Sequence, residues 1–482
     1  PVTASTARVI ESAQVDVLVL HDEDSIVNET GRLSPAFISG LGTAAGIGYE
    51  QFEDLTIMLG QGVDTFNVLD THAGTTTIDA GPGNDLVTVR TTSGHTRVLG
   101  GTGDDRFTVG SASSVLDLLR ALLVLDGGLG TDVATLADSG DLEANLGVIT
   151  PTTVTGLDMT PRAGVDDLGR PLAQLFTVTR PTSGTFTVML SQVVNGLASG
   201  IGAATFAASA TAEQVRSALQ LLLFPQTTGT GIAMSCGLTV DSRCALSVFV
   251  WESGSDLIIG FRGEVDADPA AAVIIQLAAL GAADASRRDG VNYYGLETLN
   301  LALGAGADVL NIRGTLPVTN VSFGAGDDRV YISSLADVAL SGRPRFLAGD
   351  LDAIQGTLNL DLGDGRHTLL ISDEGTATGD PSVLITDVPG SPAAPTSALG
   401  REHDLATNGD IFVVGLAPAG ISYRTSASGT FADGIRIWSG SGNDTFVVDG
   451  THLRAGVATI TWLNTGLGDD RLTVDLRTAD DG

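Results

Sequence analysis

The sequence predicts an all-β protein: a parallel β-solenoid of about twenty residues per coil, carrying an inserted β-rich domain with one helix. Three observations support this. A pattern Gly-x-Gly-x-Asp occurs eight times in 482 residues, at 60–64, 81–85, 101–105, 128–132, 304–308, 324–328, 440–444 and 466–470. Short alternating runs rich in β-branched residues flank nearly every copy, as at 55–59 and 66–68, and alternation of this kind marks strands. The composition, 62 Gly and 43% apolar residues with only 5% aromatics, suits a narrow stacked core that takes Val, Ile and Leu more readily than Trp.

Taken in order, residues 1–159 form the first solenoid super-repeat, opening on a degenerate motif copy at 12–16. Residues 16–42 align with 132–158 at an offset of 116: Asp22 with Asp138, Gly31 with Gly147, Gly40 with Gly156. The run 116–125 looks helical alone, but its counterpart 351–360 contains Gly356 and alternates, so both are expected to be mostly strand. Residues 49–55 match 293–299, Tyr49 with Tyr293, at an offset of 244. The jump from 116 to 244 places 128 extra residues between Met159 and Gly290, enough for a domain at 160–289. Within it, Thr211 and Gln214 form a capping box ahead of Val215, Ala218, Leu219 and Leu222, which share one helix face. Strands are expected around it at 175–179, 185–190, 245–251, 257–261 and 273–277. Residues 290–482 form the second and third super-repeats, with a degenerate motif at 363–367, where His367 replaces the Asp, and a Pro-rich loop near 388–400. Neither end shows an obvious polar cap, which predicts a segment of a longer array or a subunit that stacks on a neighbour.

The 57 acids face 25 basic residues, all of them Arg, for a formal net charge of −32. Such a surface repels nucleic acid and anionic membranes. The longest apolar run, 269–283, is broken by Gln276 and too short to span a bilayer, so no membrane insertion is expected. Cys236 and Cys244 are close enough for a local disulfide, which implies an extracellular or cell-surface location; two reduced core thiols are the alternative.

The motif aspartates have two readings. Asp64, Asp85, Asp105, Asp132, Asp308, Asp328, Asp444 and Asp470 either cap their turns through main-chain N–H groups or hold a cation between stacked coils. Copies reading Gly-Asp-Asp-Arg, at 103–106, 326–329 and 468–471, suggest intercoil Arg–Asp pairs. Their repetition argues against an acid–base pair, because a catalytic site is built once, and no catalytic residue is assigned. His72 and His452 read as turn residues, and sequons occur at Asn28, Asn320 and Asn443.

Gly-Gly-Thr-Gly-Asp-Asp at 100–105 and Gly-Gly-Leu-Gly-Thr-Asp at 127–132 resemble the calcium-binding repeats-in-toxin motif. The super-repeat is similar to those of giant secreted or cell-surface repeat proteins. The resemblance implies calcium between successive turns, with the eight motif aspartates as ligands. The chain departs from that family in lacking the leading Gly elsewhere, where Leu59, Ala80, Leu303, Phe323, Ser439 or Thr465 stands, and in having one motif per coil. The expected function is a structural or adhesive segment of an extracellular fibre, appendage or surface layer, joining itself or other repeat segments end to end and meeting surface glycans. A calcium-responsive binding module of a secreted protein is the alternative, and a polysaccharide-acting β-helix enzyme ranks third.

Overall fold

A computed structural model describes residues 16–159, 174–194, 197–223, 247–253, 255–262, 274–280, 285–287, 290–387, 411–431, 434–452 and 459–475. The Cys236–Cys244 pair and the Pro-rich segment 388–400 lie outside these residues. Two long sheets, of 13 and 15 strands, run the length of the solenoid, and each regular coil contributes one strand to each. In the first sheet Asp54–Met58, Thr75–Asp79, Thr96–Thr102 and Leu123–Leu129 stack in parallel. In the second, Thr65–Val68, Leu86–Val89, Arg106–Val109 and Val133–Ala137 do the same. Successive partners Thr65, Leu86 and Arg106 show the tight coils, and the step from Arg106 to Val133 a wider one.

Alternation along each strand turns Leu55, Ile57, Phe66, Val68, Ile78, Val87, Val89, Phe107 and Val109 inward. They join one apolar core that continues to Ile435, Ile437 and Phe446. The wide coil corrects the expectation at 116–125. Only Leu123 onward is strand, and the residues before it form a turn closed by Leu119 N–H donating to the Leu116 carbonyl at 2.9 Å. Ile354 and Leu351 repeat that bond at 2.9 Å in the third super-repeat. The leucines of this turn, at i and i+3, both point inward and fill the core that a strand would otherwise fill.

Each super-repeat is marked by a three-stranded antiparallel meander within one sheet. The first comprises Thr30–Ser34, Phe37–Gly40 and Thr43–Gly48, in the second sheet. The next comprises Leu146–Thr150, Thr153–Gly156 and Val291–Tyr294, in the first sheet. The last comprises Val383–Thr386, Ile411–Val414 and Ile421–Arg424, back in the second. The register repeats, Gly31 opposite Gly40 and Gly147 opposite Gly156. A tyrosine ties the first two meanders: Tyr49 donates to the Ser34 carbonyl at 2.7 Å and Tyr293 to that of Thr150 at 2.6 Å.

The inserted segment takes the place of the short link between Gly40 and Thr43. Its flanks pair directly, Thr153 with Asn292 and Val154 with Val291. Between them lie two antiparallel sheets. One is ordered Ser247–Ser253, Asp256–Arg262, Gln174–Thr179, Ala285–Arg287, and the other Leu197–Ala207, Thr185–Val194, Ile274–Leu280. The helix Ala212–Leu223 begins at the expected capping box: Thr211 N–H donates to Gln214 Oε1 at 3.0 Å, and Gln214 N–H to Thr211 Oγ1 at 3.3 Å. Val215 and Leu219 enter a core separate from that of the solenoid. Leu197–Ala207 is a strand that the sequence did not suggest, because its Gly- and Ala-rich run has little β-propensity. Trp251 and Ile258 seat the insert against Leu122, Val124 and Tyr294 of the solenoid.

The stacked turns set a steric limit. A Cβ on Gly103, where φ is +132°, would lie 1.6 Å from the Gly83 carbonyl oxygen one coil away. Gly184, at φ +86°, has open space around it. Gly103→Ala is therefore expected to cost about 2–4 kcal/mol in urea denaturation, from strain and a displaced coil. Gly184→Ala should cost only about 1 kcal/mol, for the left-handed backbone.

Candidate functional site: the carboxylate ladders of the motif turns

The two glycines of each motif let turns stack in contact. Cβ atoms on Gly81 and Gly101 would meet the carbonyl oxygens of Gly60 and Gly81 at 2.7 and 2.2 Å. Stacking at this distance leaves turn N–H groups facing the next coil, and the motif aspartate receives them. Asp64 N–H donates to Asp85 Oδ1 at 2.7 Å, Asp85 N–H to Asp105 Oδ1 at 2.8 Å, and Asp105 N–H to Asp132 Oδ1 at 2.8 Å. Glu29 N–H opens this ladder on Asp64 Oδ1 at 2.7 Å, and Glu297 Oε2 closes it on Asp132 N–H at 2.6 Å. The strands of each sheet run one way through this block, so all four motif turns share one edge of the solenoid.

After the second meander the motif follows second-sheet strands, Thr298–Ala302 and Val318–Ser322, and so lies on the opposite edge. There Asn145 N–H donates to Asp308 Oδ1 at 2.8 Å and Asp308 N–H to Asp328 Oδ1 at 3.0 Å. His367, in the place of the next aspartate, sits with Nδ1 3.4 Å from Asp328 Oδ2. After the third meander the ladder returns to the first edge. Asp380 N–H donates to Asp444 Oδ1 at 2.7 Å and Asp444 N–H to Asp470 Oδ1 at 2.9 Å. The eight aspartates thus fall into three groups of four, two and two.

A second ladder runs the other way through the residue before the motif aspartate. Asn84 Oδ1 accepts from Asp104 N–H at 2.9 Å, and Asp104 Oδ1 from Thr131 N–H at 3.0 Å. Asp327 accepts from Arg366 N–H at 2.9 Å, and Asn443 from Asp469 N–H at 3.0 Å. This corrects the reading of Gly-Asp-Asp-Arg at 326–329. Arg329 donates to the carbonyls of Leu340 and Gly342, at 2.5 and 2.8 Å, while Asp327 is taken up by a main-chain N–H. The signal was present as the recurrent Asn or Asp at that position, but its partner lies a coil away.

Burial makes the ladders electrostatically demanding. Asp64, Asp85, Asp105, Asp132, Asp308, Asp328 and Asp444 are all buried. Burial pushes Asp85 up to about 7, with Asp105 and Asp64 adding repulsion. Burial, then Asp132 and Asp104, bring Asp105 to about 6; burial, then Asp328 and Asp141, bring Asp308 to about 6. One oxygen of each is committed to an N–H, so a cation in these turns would be held through the other. That oxygen, Oδ2, is buried without a hydrogen-bond partner at Asp85, Asp105 and Asp132, and at Asp328 it faces only His367 Nδ1. At Asp64 it accepts from Gly60 N–H at 3.1 Å, and at Asp444 from Ser439 Oγ at 2.5 Å.

A third ladder, of amides, runs inside the second sheet and has no counterpart among the sequence expectations. Asn320 Nδ2 donates to Asn300 Oδ1 and Asn359 Nδ2 to Asn320 Oδ1, both at 2.8 Å, and Ser422 Oγ closes on Asn359 Oδ1 at 2.7 Å. The Asn320 sequon is thereby committed to the fold. His72 holds its own turn, accepting from Gly74 N–H at 3.1 Å, and His452 lies within 3.3 Å of Thr425 and Thr459 hydroxyls. No described helix is long and apolar enough to cross a membrane. Comparison with known proteins finds no matching family model, curated protein or solved structure.

The raised carboxyls fix the sign of the pH response. Folding holds protons on Asp85, Asp105 and Asp308 that the unfolded chain has released above its ordinary range near 3.8. Their stabilisation is complete below that range and is lost as pH rises through about 6 to 7. With chelator present, the melting temperature should fall between pH 5 and pH 8. Asp105→Asn keeps an acceptor for Asp85 N–H without the charge, so it should flatten this profile and raise melting at pH 8. Asp105→Ala should destabilise at both values by about 1–3 kcal/mol, from the orphaned N–H. A profile that rises with pH would contradict the assignment.

Proposed function

We propose that this chain is a structural or adhesive segment of an extracellular or cell-surface fibre, joined end to end through its terminal coils. The observation that supports it is the exposed face of the last described coil. Two ladder ends are closed by a longer acid: Glu297 takes Asp132 N–H, and Glu53 takes Asp16 N–H at 2.7 Å. Asp470 accepts from Asp444, but its own N–H finds no acceptor among the described residues. Around it Trp462 (58%), Leu467 (75%), Leu472 (49%) and Val474 (51%) are exposed. The first described coil likewise exposes Val17, Val19, Ile26 and Val27. A further coil of this kind would cover these side chains, supply the acceptor and pair both strand edges. The charge of −32 keeps the sides of such rods apart while their ends meet.

The full chain should form linear oligomers by electron microscopy and sedimentation. Trp462→Glu with Leu472→Glu should leave monomers that melt as the parent does. A parent that stays monomeric at every accessible concentration refutes the proposal.

The calcium-responsive reading is favoured by one observation, the unpartnered Oδ2 atoms of Asp85, Asp105 and Asp132. It requires that EDTA lower the melting temperature at pH 8 and that calcium restore it, because binding to the folded state alone stabilises it. A response lost in Asp105→Asn would assign the ion to the motif turns, and unchanged melting would dismiss this reading.

A further inference from the structure

Outside the motif turns, the structure brings three carboxylates together where the Asp308–Asp328 ladder begins. Asp117 comes from the turn before Leu123–Leu129, and Asp138 and Asp141 from the loop between Val133–Ala137 and Leu146–Thr150. One oxygen from each lies within 4.8 Å of the others. Asp138 is fully buried and Asp141 is 7% exposed, while Asp117 faces solvent. The charged groups that act on Asp138 are Asp141, Asp117 and Asp308, and those that act on Asp117 are Asp141 and Asp158. None is basic.

Two buried oxygens in this loop have no donor. Asp138 Oδ1 accepts from Leu116 N–H at 2.9 Å, which leaves Oδ2 without a partner. Asn145, 2% exposed, gives its Nδ2 to Asp141 Oδ2 at 2.7 Å and leaves its own Oδ1 unpartnered.

The third super-repeat supplies an internal comparison. There Asp373 repeats Asp138, accepting from Leu351 N–H at 2.7 Å, and Asp352 repeats Asp117. Thr376 stands where Asp141 does, and its side chain hydrogen-bonds the Asp373 carboxylate. At that position one copy of the loop offers its buried acid a hydroxyl and the other offers it another acid, while Asp380, in the place of Asn145, is an acid that acts on Asp373.

We propose that Asp117, Asp138 and Asp141 bind a hard divalent cation of the calcium class, in a site separate from the motif turns and restricted to this copy of the loop. Three carboxylates supply the oxygen-only, anionic donor set such an ion takes, and the open side at Asp117 admits the ion and the waters that complete its shell. Bound there, the ion would pin the 138–145 loop to the coil before it, at the point where the solenoid changes edge.

The test is calorimetric titration of the EDTA-treated full chain with calcium chloride at pH 7.5. Asp117→Asn, at an exposed position, should weaken one calcium equivalent by about tenfold or more. Asp141→Thr, which copies the third super-repeat, should abolish it, and Asp352→Asn should change nothing. Because Asp141 also accepts from Glu143 N–H and Asn145, Asp117→Asn decides the matter if Asp141→Thr folds poorly. Asp105→Asn should retain this equivalent, which separates the site from any calcium in the motif turns. A parent that binds no calcium, or an Asp117→Asn variant with undiminished number and affinity, overturns the proposal.

Discussion

Every turn in a parallel coil stack must place its main-chain N–H groups against the neighbouring coil, and the rest of this structure is arranged around that demand. Strand N–H groups are paired by the sheets, but those at the corners face the coil above or below, where little water reaches. The motif answers in two parts. Glycines let the chain approach its neighbour to within a distance that no Cβ would tolerate, as at Gly101 and Gly103. The aspartate then spans one coil spacing, about 4.8 Å, to accept the N–H of the equivalent residue. Where an Asn or Asp stands before it, as at Asn84 and Asp104, that side chain serves the opposite direction and bonds the turn to its other neighbour.

Satisfying N–H groups with carboxylates accumulates like charge along an edge, and the meanders limit how far it accumulates. Each keeps three consecutive strands in one sheet, so the chain resumes coiling with its motif on the other edge. The column is thereby cut into short blocks. The junctions are built from matching parts: Asp16 meets Glu53, Asp132 meets Glu297, and His367 N–H meets the Thr430 carbonyl instead. Where the third junction lacks both acids, the column ends on a neutral acceptor. Within the first block burial, and after it the neighbouring carboxylates, raise Asp85 and Asp105, which therefore hold their protons further up the pH scale.

Much of this was legible in the sequence, because the solenoid repeats its local chemistry. The motif marked the turns, alternation marked the strands, and the offset between Gly31 and Gly147 aligned two hairpins that share one register. What was not legible depends on partners a coil or more away. Glu53 and Glu297 look like ordinary surface acids until the stacking puts them over Asp16 and Asp132. Asn300, Asn320 and Asn359 are spaced unevenly in the chain, because the coil between the last two is wide, and so they hide a regular ladder. The buried turn at Leu116 and Leu119 mimics a helix in isolation and a strand by analogy, and only the core it fills decides between them.

The same constraint explains where the chain tolerates added length. Regular motif turns keep five residues because both glycines, the aspartate and the residue before it are engaged with adjacent coils. The links of a meander carry no such obligation, since antiparallel neighbours complete their own pairing and hold the link's ends together. Extending a link whose ends are already close costs free energy only slowly with length. The large insertion occupies the second link of the middle meander, between Thr153–Gly156 and Val291–Tyr294. The long link between Val383–Thr386 and Ile411–Val414 occupies the first link of the last meander. Each leaves its flanking register intact, and neither disturbs a ladder. Meanders therefore serve two purposes in this fold: they divide the charged edges into blocks, and they provide the positions at which new domains can be mounted on a rod whose turns cannot change.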